Sequence, residues 1–220
     1  IEQRQLVNYY QPKISAATGV VEGVEALVRW NHPSDGLIYP DQFITTAEMH
    51  GLIDDLTRDV LRSALTDLRG WRDGGHNLQV AVNISMETLG WLEFPEYIMR
   101  EVQAAGVPPY AVTLEITESR LMMAPLAALD ILARLSLKHF KLSIDDFGTG
   151  NSTLSRLRDI PFTELKIDQS FVHGACRHAK LRDFFEASLG VARQLGMSAV
   201  AEGVEDRADW NFVRSCNCDT

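Results

Sequence analysis

The sequence predicts an α/β fold, a TIM-like (β/α)8 barrel with one antiparallel strand near the N-terminus. Short apolar segments alternate with helical patterns through all 220 residues, which is typical of a parallel sheet. Polar residues stand near the ends of six of the segments. A barrel brings every strand end to one rim, whereas an open sheet builds its site from few strands, so the pattern favours the barrel.

Seven segments are predicted as strands, because each is short and mostly rich in Val, Ile, Leu or aromatic residues. They cover residues 6–10, 24–30, 78–84, 112–116, 140–144, 164–167 and 198–201. The gap after the first is too short for a crossover helix, so we expect the first two strands to form an antiparallel hairpin.

Three stretches between the strands carry apolar residues at helical spacing. The first runs from Leu56 to Trp71, before Gly74-Gly75, and the second from Leu126 to Leu135. The third runs from Leu181 to Leu195, with Gly196 as its stop signal.

Composition excludes several classes of protein. The 45% hydrophobic content suits a sizeable core, and the net charge of −9 argues against binding a nucleic acid polymer. No apolar run is long enough to cross a bilayer, so we expect no membrane contact by this domain. Three cysteines form no disulfide framework, which predicts a cytoplasmic setting. Both chain ends look cut, which indicates a domain excised from a longer protein.

The polar residues near the strand ends form one chemical set. It comprises Glu25, Asn83, Glu115, Asp145, Asp146 and Glu202, with Lys166 as the one cation. Bare carboxylates in one mouth would repel each other, and all-oxygen ligands suit hard cations such as Mg²⁺ or Mn²⁺. Two such ions, bridged by Asp145-Asp146, would stabilise an in-line displacement at phosphorus, and Lys166 would hold the attacking water.

Each of these residues also has an ordinary structural interpretation. An acidic residue at a strand end is usually a helix N-cap or solvated, and Asp146 could belong to a turn. Lys166 could extend its stem from the barrel end. The set is harder to dismiss jointly, since Glu115 within an apolar strand is costly unless it is paired or liganded.

Seven motifs, in order along the chain, resemble those of EAL domains, bacterial phosphodiesterases that hydrolyse cyclic di-GMP. They are Tyr10-Gln11-Pro12, Glu25-Ala26-Leu27, Asn83-Ile84-Ser85, Glu115-Ile116-Thr117-Glu118, Asp145-Asp146-Phe147-Gly148-Thr149-Gly150, Lys166-Ile167-Asp168 and Ala201-Glu202-Gly203-Val204-Glu205. The match covers residues 1–220. The resemblance implies a metal-dependent enzyme that opens cyclic di-GMP to linear pGpG.

The resemblance also implies a role for each site residue. The roles are metal binding for Glu25, Asn83, Glu115, Asp145, Asp146 and Glu202; catalysis for Lys166, Glu202 and Glu25; and substrate contact for Gln11, Leu27, Arg29, Asp168 and Glu205. Glu118 would anchor the loop after Asp146. The family further implies a homodimer, with sensory or regulatory domains fused outside this chain.

Two departures from the family pattern stand out. Asn151-Ser152 replaces the usual Tyr-Ser in the loop after Asp146. The family also continues past Asp219 with a Gln-Gly-Tyr segment and a helix. We therefore expect a domain truncated at its C-terminus, with the final strand and helix missing from this chain.

Two other functions stay open at this point. The first is a catalytically silent receptor that binds cyclic di-GMP without cleaving it, although such family members typically lose metal ligands. The second is a glycosidase that uses Glu115 and Glu202 as its carboxylate pair. That second reading leaves Asn83, the Asp145-Asp146 pair and Lys166 unexplained.

Overall fold

Eight strands form one curled sheet in the computed structural model, which describes residues 5–122, 126–149 and 154–220. The strands are β1 (Leu6–Ile14), β2 (Val21–His32), β3 (Gly36–Ile38), β4 (Gln79–Asn83), β5 (Val112–Thr117), β6 (Lys141–Phe147), β7 (Glu164–Ile167) and β8 (Ser198–Ala201). The order across the sheet is β1-β2-β4-β5-β6-β7-β8, with β3 paired to β2. This mixed α/β architecture agrees with the predicted TIM-like barrel.

Helices lie between the strands. Within the described residues they are α1 (Pro40–Met49), α2 (Ile53–Asp73), α3 (Phe94–Ala105), α4 (Glu118–Met122), α5 (Leu126–Leu137), α6 (Leu154–Asp159), α7 (Gln169–Val172), α8 (Ala179–Gln194) and α9 (Arg207–Ser215). None of these helices is long and apolar enough to cross a membrane.

The first two strands form the predicted antiparallel hairpin, and the ladders from β2–β4 to β7–β8 are parallel. In the hairpin register Gln11 lies opposite Glu25, and Glu25 pairs with Ala81 on the other side. The sheet therefore begins with one antiparallel strand, β1, which carries Gln11. The parallel strands after it, with the segments that directly follow them, carry the other predicted site residues.

The sheet edges β1 and β8 do not pair with each other, and the last two residues lie between them. The Thr220 amide donates to the carbonyl of Ala199 (3.1 Å), and the Ala201 amide donates to the carbonyl of Thr220 (2.8 Å). On the other side the Ala16 amide donates to the carbonyl of Asp219 (2.9 Å). The backbone at 219–220 thus begins to bridge the two edges.

The hydrophobic core fills the layer between sheet and helices. Helix α2 shows how the sequence produces it, since its apolar residues recur at helical spacing and lie on one buried face. Leu61, Ala64, Leu65 and Leu68 are almost completely buried there. The strands contribute residues such as Val80, Val82 and Leu142.

All seven predicted strands are present, five of them with changed bounds, and the three predicted helices correspond to α2, α5 and α8. Sequence analysis missed β3 and six further helices, most of which are short. In α1 and α3 the apolar residues are interrupted by polar ones, so the helical period is weak. A proline in the first turn of each is the signal that could have found them.

The expectation that the site residues end their strands needs a correction. Glu25 is the fifth of twelve residues in β2, Glu115 the fourth of six in β5, and Lys166 the third of four in β7. Glu25 lies early in its strand because β2 runs on beyond the rim to pair with β3. These side chains consequently lie inside the mouth of the curled sheet.

Matched leucine truncations test the core assignment. Leu68 on α2 is 0% exposed, whereas Leu137 at the end of α5 is 80% exposed. We expect Leu68→Ala to lower the free energy of unfolding by about 2–5 kcal/mol through the cavity it leaves. Leu137→Ala should change it by less than about 0.5 kcal/mol. Urea denaturation measures both, and equal losses would contradict the packing.

Candidate metal centre

A buried lysine lies at the centre of the mouth, surrounded by four carboxylates. The Lys166 ammonium lies 3.0 Å from oxygens of Glu25, Glu115 and Asp145, and 2.7 Å from Glu202. Its side chain is only 3% exposed. Four different strands or strand ends deliver the acids, so the ion pairs join residues far apart in sequence.

The carboxylates divide into two triads that share Asp145. Oxygens of Glu25, Glu115 and Asp145 all lie within 4.8 Å of one another, and so do oxygens of Asp145, Asp146 and Glu202. Asp145 belongs to both triads, whereas Asp146, which has a left-handed backbone conformation with φ of 56°, belongs to the second alone. The structure therefore brings together five of the six predicted metal ligands as two contiguous groups.

The sixth predicted ligand, Asn83, ends β4 next to the first triad. Its side-chain amide nitrogen donates to Glu25 Oε1 at 2.9 Å. Asn83 orients the Glu25 carboxylate in this arrangement, and its own oxygen is an additional hard donor.

Burial and mutual repulsion control the charge of these acids. Burial raises the pKa of Glu115 to about 8 and that of Glu202 to about 7, since desolvation outweighs the attraction of Lys166. Burial and the neighbouring Asp145 also raise the pKa of Asp146. Burial acts in the same direction on Glu25, but Lys166 and Asn83 outweigh it and hold that pKa below its usual value.

The four carboxylates control the charge of the lysine. Burial favours the neutral amine, but the carboxylates outweigh burial and raise the pKa of Lys166 well above its usual value. Lys166 is therefore a firmly charged hydrogen-bond donor in this geometry.

The loop after β6 is tied to the first residue of α4, which directly follows β5. The Gly148 amide donates to the Glu118 carboxylate at 2.7 Å, and the Thr149 amide and hydroxyl both donate to the carbonyl of Asp146. Glu118 itself is 0% exposed. This placement is compatible with the predicted loop-anchoring role, which stays a prediction. Asn151 and Ser152 lie outside the described residues.

The predicted substrate residues are only partly brought together. A cleft of about 580 Å³ above the triads is lined by Gln11, Leu27 and Asp168, together with Lys166 and Glu202. Asp168 also caps α7 by accepting from the Ser170 amide at 2.9 Å.

Arg29 and Glu205 do not line this cleft. The Arg29 guanidinium lies over the rings of Tyr39 and Tyr9, 4.9 and 5.7 Å from their centroids, and donates to the Val28 carbonyl. Glu205 is exposed. The contacts expected of these two residues therefore stay predictions.

Sequence analysis missed a second interior cation. Lys13 Nζ lies 2.6 Å from Glu164 Oε1 and 3.7 Å from Glu115 Oε1, on the side of Glu115 away from Lys166. The signal was available, because Lys13 stands two residues from Gln11 and so shares its face of β1.

These residues fit hard divalent cations. The donors are carboxylate and amide oxygens, and Glu115 Oε1 is buried without a hydrogen-bond partner among the described residues. Once Glu115 is ionised, above its pKa of about 8, this oxygen needs further positive charge nearby.

Comparison with known proteins agrees with this geometry. The family model described as "EAL domain" matches residues 1–220. This chain belongs to the EAL domain family. MucR of Pseudomonas aeruginosa, a bifunctional diguanylate cyclase/cyclic di-GMP phosphodiesterase, is 39% identical over all of this chain and 32% of its own length. The cyclic di-GMP phosphodiesterase NbdA of Pseudomonas aeruginosa is 40% identical over 98% of the chain and 28% of its own length.

Solved structures resemble the EAL domain over its whole length. The structure titled "PaMucR Phosphodiesterase, c-di-GMP complex" has a TM-score of 0.93 and 40% identity, covering 99% of this chain and 89% of that one. The EAL enzyme Bd1971, in its cAMP- and cyclic-di-GMP-bound form, has a TM-score of 0.93 at 27% identity, covering 99% and 60%. The chain spans about a third or less of the curated relatives cited above.

Magnesium should stabilise the EAL domain more as pH rises. Glu115 and Glu202 have folded-state pKa values above their unfolded ones, so their contribution to metal-free stability is complete below about pH 4.5 and is lost towards pH 8. Deprotonation also creates ligands. We expect the Mg²⁺-induced rise in Tm to be larger at about pH 9 than at about pH 6.

Thermal melts with and without Mg²⁺ test this expectation. Glu202→Gln removes one titrating group and should flatten the dependence, whereas an increment independent of pH in the parent domain would refute the assignment.

Proposed function

We propose that this EAL domain is a phosphodiesterase that hydrolyses cyclic di-GMP to linear pGpG with two divalent cations, Mg²⁺ or Mn²⁺. The observation that carries the proposal is the pair of acidic triads sharing Asp145 around the buried Lys166. Two sites a few ångströms apart suit displacement at a phosphodiester. The named activities of relatives such as MucR and NbdA support the same reaction.

Each cation would be held by one triad, the first with help from Asn83. Cations bound there would supply Lewis-acid activation and neutralise charge on the phosphate. The pGpG product carries a 5′ phosphate, so water adds to phosphorus and the bond from phosphorus to the 3′ oxygen breaks.

Side chains of the protein would stabilise the developing charge, accept the proton of the water and position Lys166. Lys166 donates hydrogen bonds towards the attacking water and the phosphate oxygens, where negative charge develops. Glu202 lies at the mouth, 2.7 Å from the Lys166 ammonium, and would accept the proton that the water loses. The 3′ oxygen takes up a proton as it leaves, and Glu25 holds the ammonium of Lys166 in place at 3.0 Å.

An apolar pocket beside the triads supports a substrate with a large flat base. It has a volume of about 270 Å³, and Leu27 lines both this pocket and the cleft. Thr57 and Ser85 offer hydroxyls on its wall, and the paired Glu48 and Arg120 close its rim. We assign one base to this pocket, with Gln11 and Asp168 contacting the other half of the dinucleotide.

Substitutions at Lys166 and Glu115 separate enzyme from silent receptor. We expect Lys166→Ala to lower kcat by about a hundredfold or more while substrate affinity changes far less, because its role is specific to the transition state. Glu115→Gln and chelation of the metal should abolish turnover. Lys138→Ala, on the surface beside Glu96, is the matched control and should retain activity.

The outcomes distinguish the alternatives. Binding of cyclic di-GMP without turnover in the parent domain would favour the silent receptor, and metal-independent hydrolysis of a glycoside would favour the glycosidase. Equal losses of kcat and affinity in Lys166→Ala would make Lys166 a binding residue.

We further propose that the domain forms a homodimer through the face of residues 146–155 and its neighbouring helix. Resemblance to the family supports this, and residues 150–153 lie outside the described part of the chain. We expect light scattering at high concentration to give twice the monomer mass. A monomer with full activity would contradict the proposal.

We also infer that sensory or regulatory domains are fused to this EAL domain in a cytoplasmic signalling protein. The support is the length of the relatives, of which this chain covers 32% for MucR and 27% for the oxygen sensor protein DosP of Escherichia coli. Cys176, Cys216 and Cys218 are free thiols, which is compatible with that setting.

A further inference from the structure

We propose that Asp209 is a positioning residue that fixes the second triad, Asp145, Asp146 and Glu202, by clamping helix α7. The inference rests on the proposed two-cation site. Asp209 belongs to α9 and neither lines the cleft nor belongs to either triad. Its effect passes through α7, which directly follows Asp168 at the end of β7.

Helix α7 supports the two rim turns that carry the outer ligands. Phe171 stacks on Phe184 of α8, with ring centroids 3.9 Å apart. A Cβ on Gly148, two residues after Asp146, would overlap the Phe184 ring and come within 3.0 Å of the Phe171 ring. A Cβ on Gly203, directly after Glu202, would overlap Gln169 in the first turn of α7. The turn at Glu202 therefore rests on α7, and the turn at Asp146 rests on the stacked rings that join α7 to α8.

The C-terminal end of α7 is held by one buried carboxylate. Asp209 Oδ1 accepts from the Gly174 amide at 3.0 Å, and Oδ2 lies 2.9 Å from Nδ1 of His173. The Asp209 side chain is 2% exposed, whereas His173 is 58% exposed. A four-residue helix has little stability of its own, so this clamp and the packing of its two ends define its position.

The two triads differ in how they depend on α7. Glu25 and Glu115 lie within β2 and β5, where ladder hydrogen bonds to strands on both sides fix the backbone. Asp146 instead has a left-handed backbone conformation near the end of β6, and Glu202 directly follows β8. Movement of α7 consequently acts on the second triad before the first.

Calorimetric titration of the metal-free domain with Mn²⁺ tests the inference. We expect Asp209→Ala to weaken one of the two binding events about tenfold or more, the usual effect of losing an outer-shell support, and to leave the other within about twofold. Asp209→Asn keeps an oxygen that can accept from Gly174 and should restore most of the lost affinity. His173→Ala removes the exposed half of the clamp and should give a smaller loss in the same event.

Asp206→Ala supplies the matched control. Asp206 is also an acidic residue at the start of α9, but it caps its own helix by accepting from Ala208 and Asp209 amides at 2.7 and 2.8 Å. Its loss should lower Tm through the missing cap and leave both Mn²⁺ affinities unchanged. Loss of the second event in Asp206→Ala as well would overturn the inference, since general destabilisation would then explain the effect.

The remaining outcomes separate this inference from the proposed function. Two Mn²⁺ events in the parent domain, unchanged in Asp209→Ala, would overturn the clamp alone. Fewer than two events in the parent domain would overturn the two-cation site and the inference together. If Asp209→Ala does not fold, Asp209→Asn and His173→Ala decide the question. In that case, a second Mn²⁺ binding event in His173→Ala with the same affinity as in the parent domain would overturn the clamp.

Discussion

The burial of the Lys166 ammonium among four carboxylates is the interaction on which the rest of the mouth depends. An isolated ammonium at 3% exposure would be very costly, and so would Glu115 at 0%. The buried ammonium and the buried carboxylates stabilise one another, because the Lys166 nitrogen lies 2.7–3.0 Å from the carboxylate oxygens. Only a curled sheet can deliver acids from β2, β5, β6 and the end of β8 to one lysine on β7. Fold and site are therefore consequences of the same geometry.

Lys166 alone does not carry enough positive charge to neutralise the carboxylates around it. The two triads contain five carboxylates, and Lys166 contributes one positive charge. Lys13 is engaged mainly by Glu164, at 2.6 Å, so it offers Glu115 little more than a partial share. Burial is the largest cause of the raised pKa values of Glu115, Asp146 and Glu202, and repulsion from neighbouring carboxylates adds to it. Two divalent cations together with Lys166 would neutralise five ionised carboxylates, which is the physical reason for proposing two ions rather than one.

Much of the fold could be predicted because each buried parallel strand corresponds to a short apolar run in the amino-acid sequence. The clustering of the candidate metal ligands could be predicted because acids such as Glu115 interrupt those runs, and a polar residue in an apolar strand demands a partner. Positions set by tertiary packing could not be predicted. Arg29 lies over Tyr39 and Tyr9 outside the cleft lining, and the hold of Asp209 on α7 joins residues 35 and 36 positions apart without a periodic signal. The short helix α7 itself has no amphipathic pattern to detect.

The direction of the Lys166 pKa shift bears on the catalytic role that we propose for this residue. The carboxylates alone raise this pKa, whereas cations bound beside the ammonium would lower it by like-charge repulsion. Cations held by Glu25, Glu115, Asp145 and Glu202 would compete with Lys166 for the same oxygens and so weaken the hold of the carboxylates on the ammonium. In the proposed enzyme this would free Lys166 to donate to water and phosphate, and binding of the cations would thus prepare the site for hydrolysis.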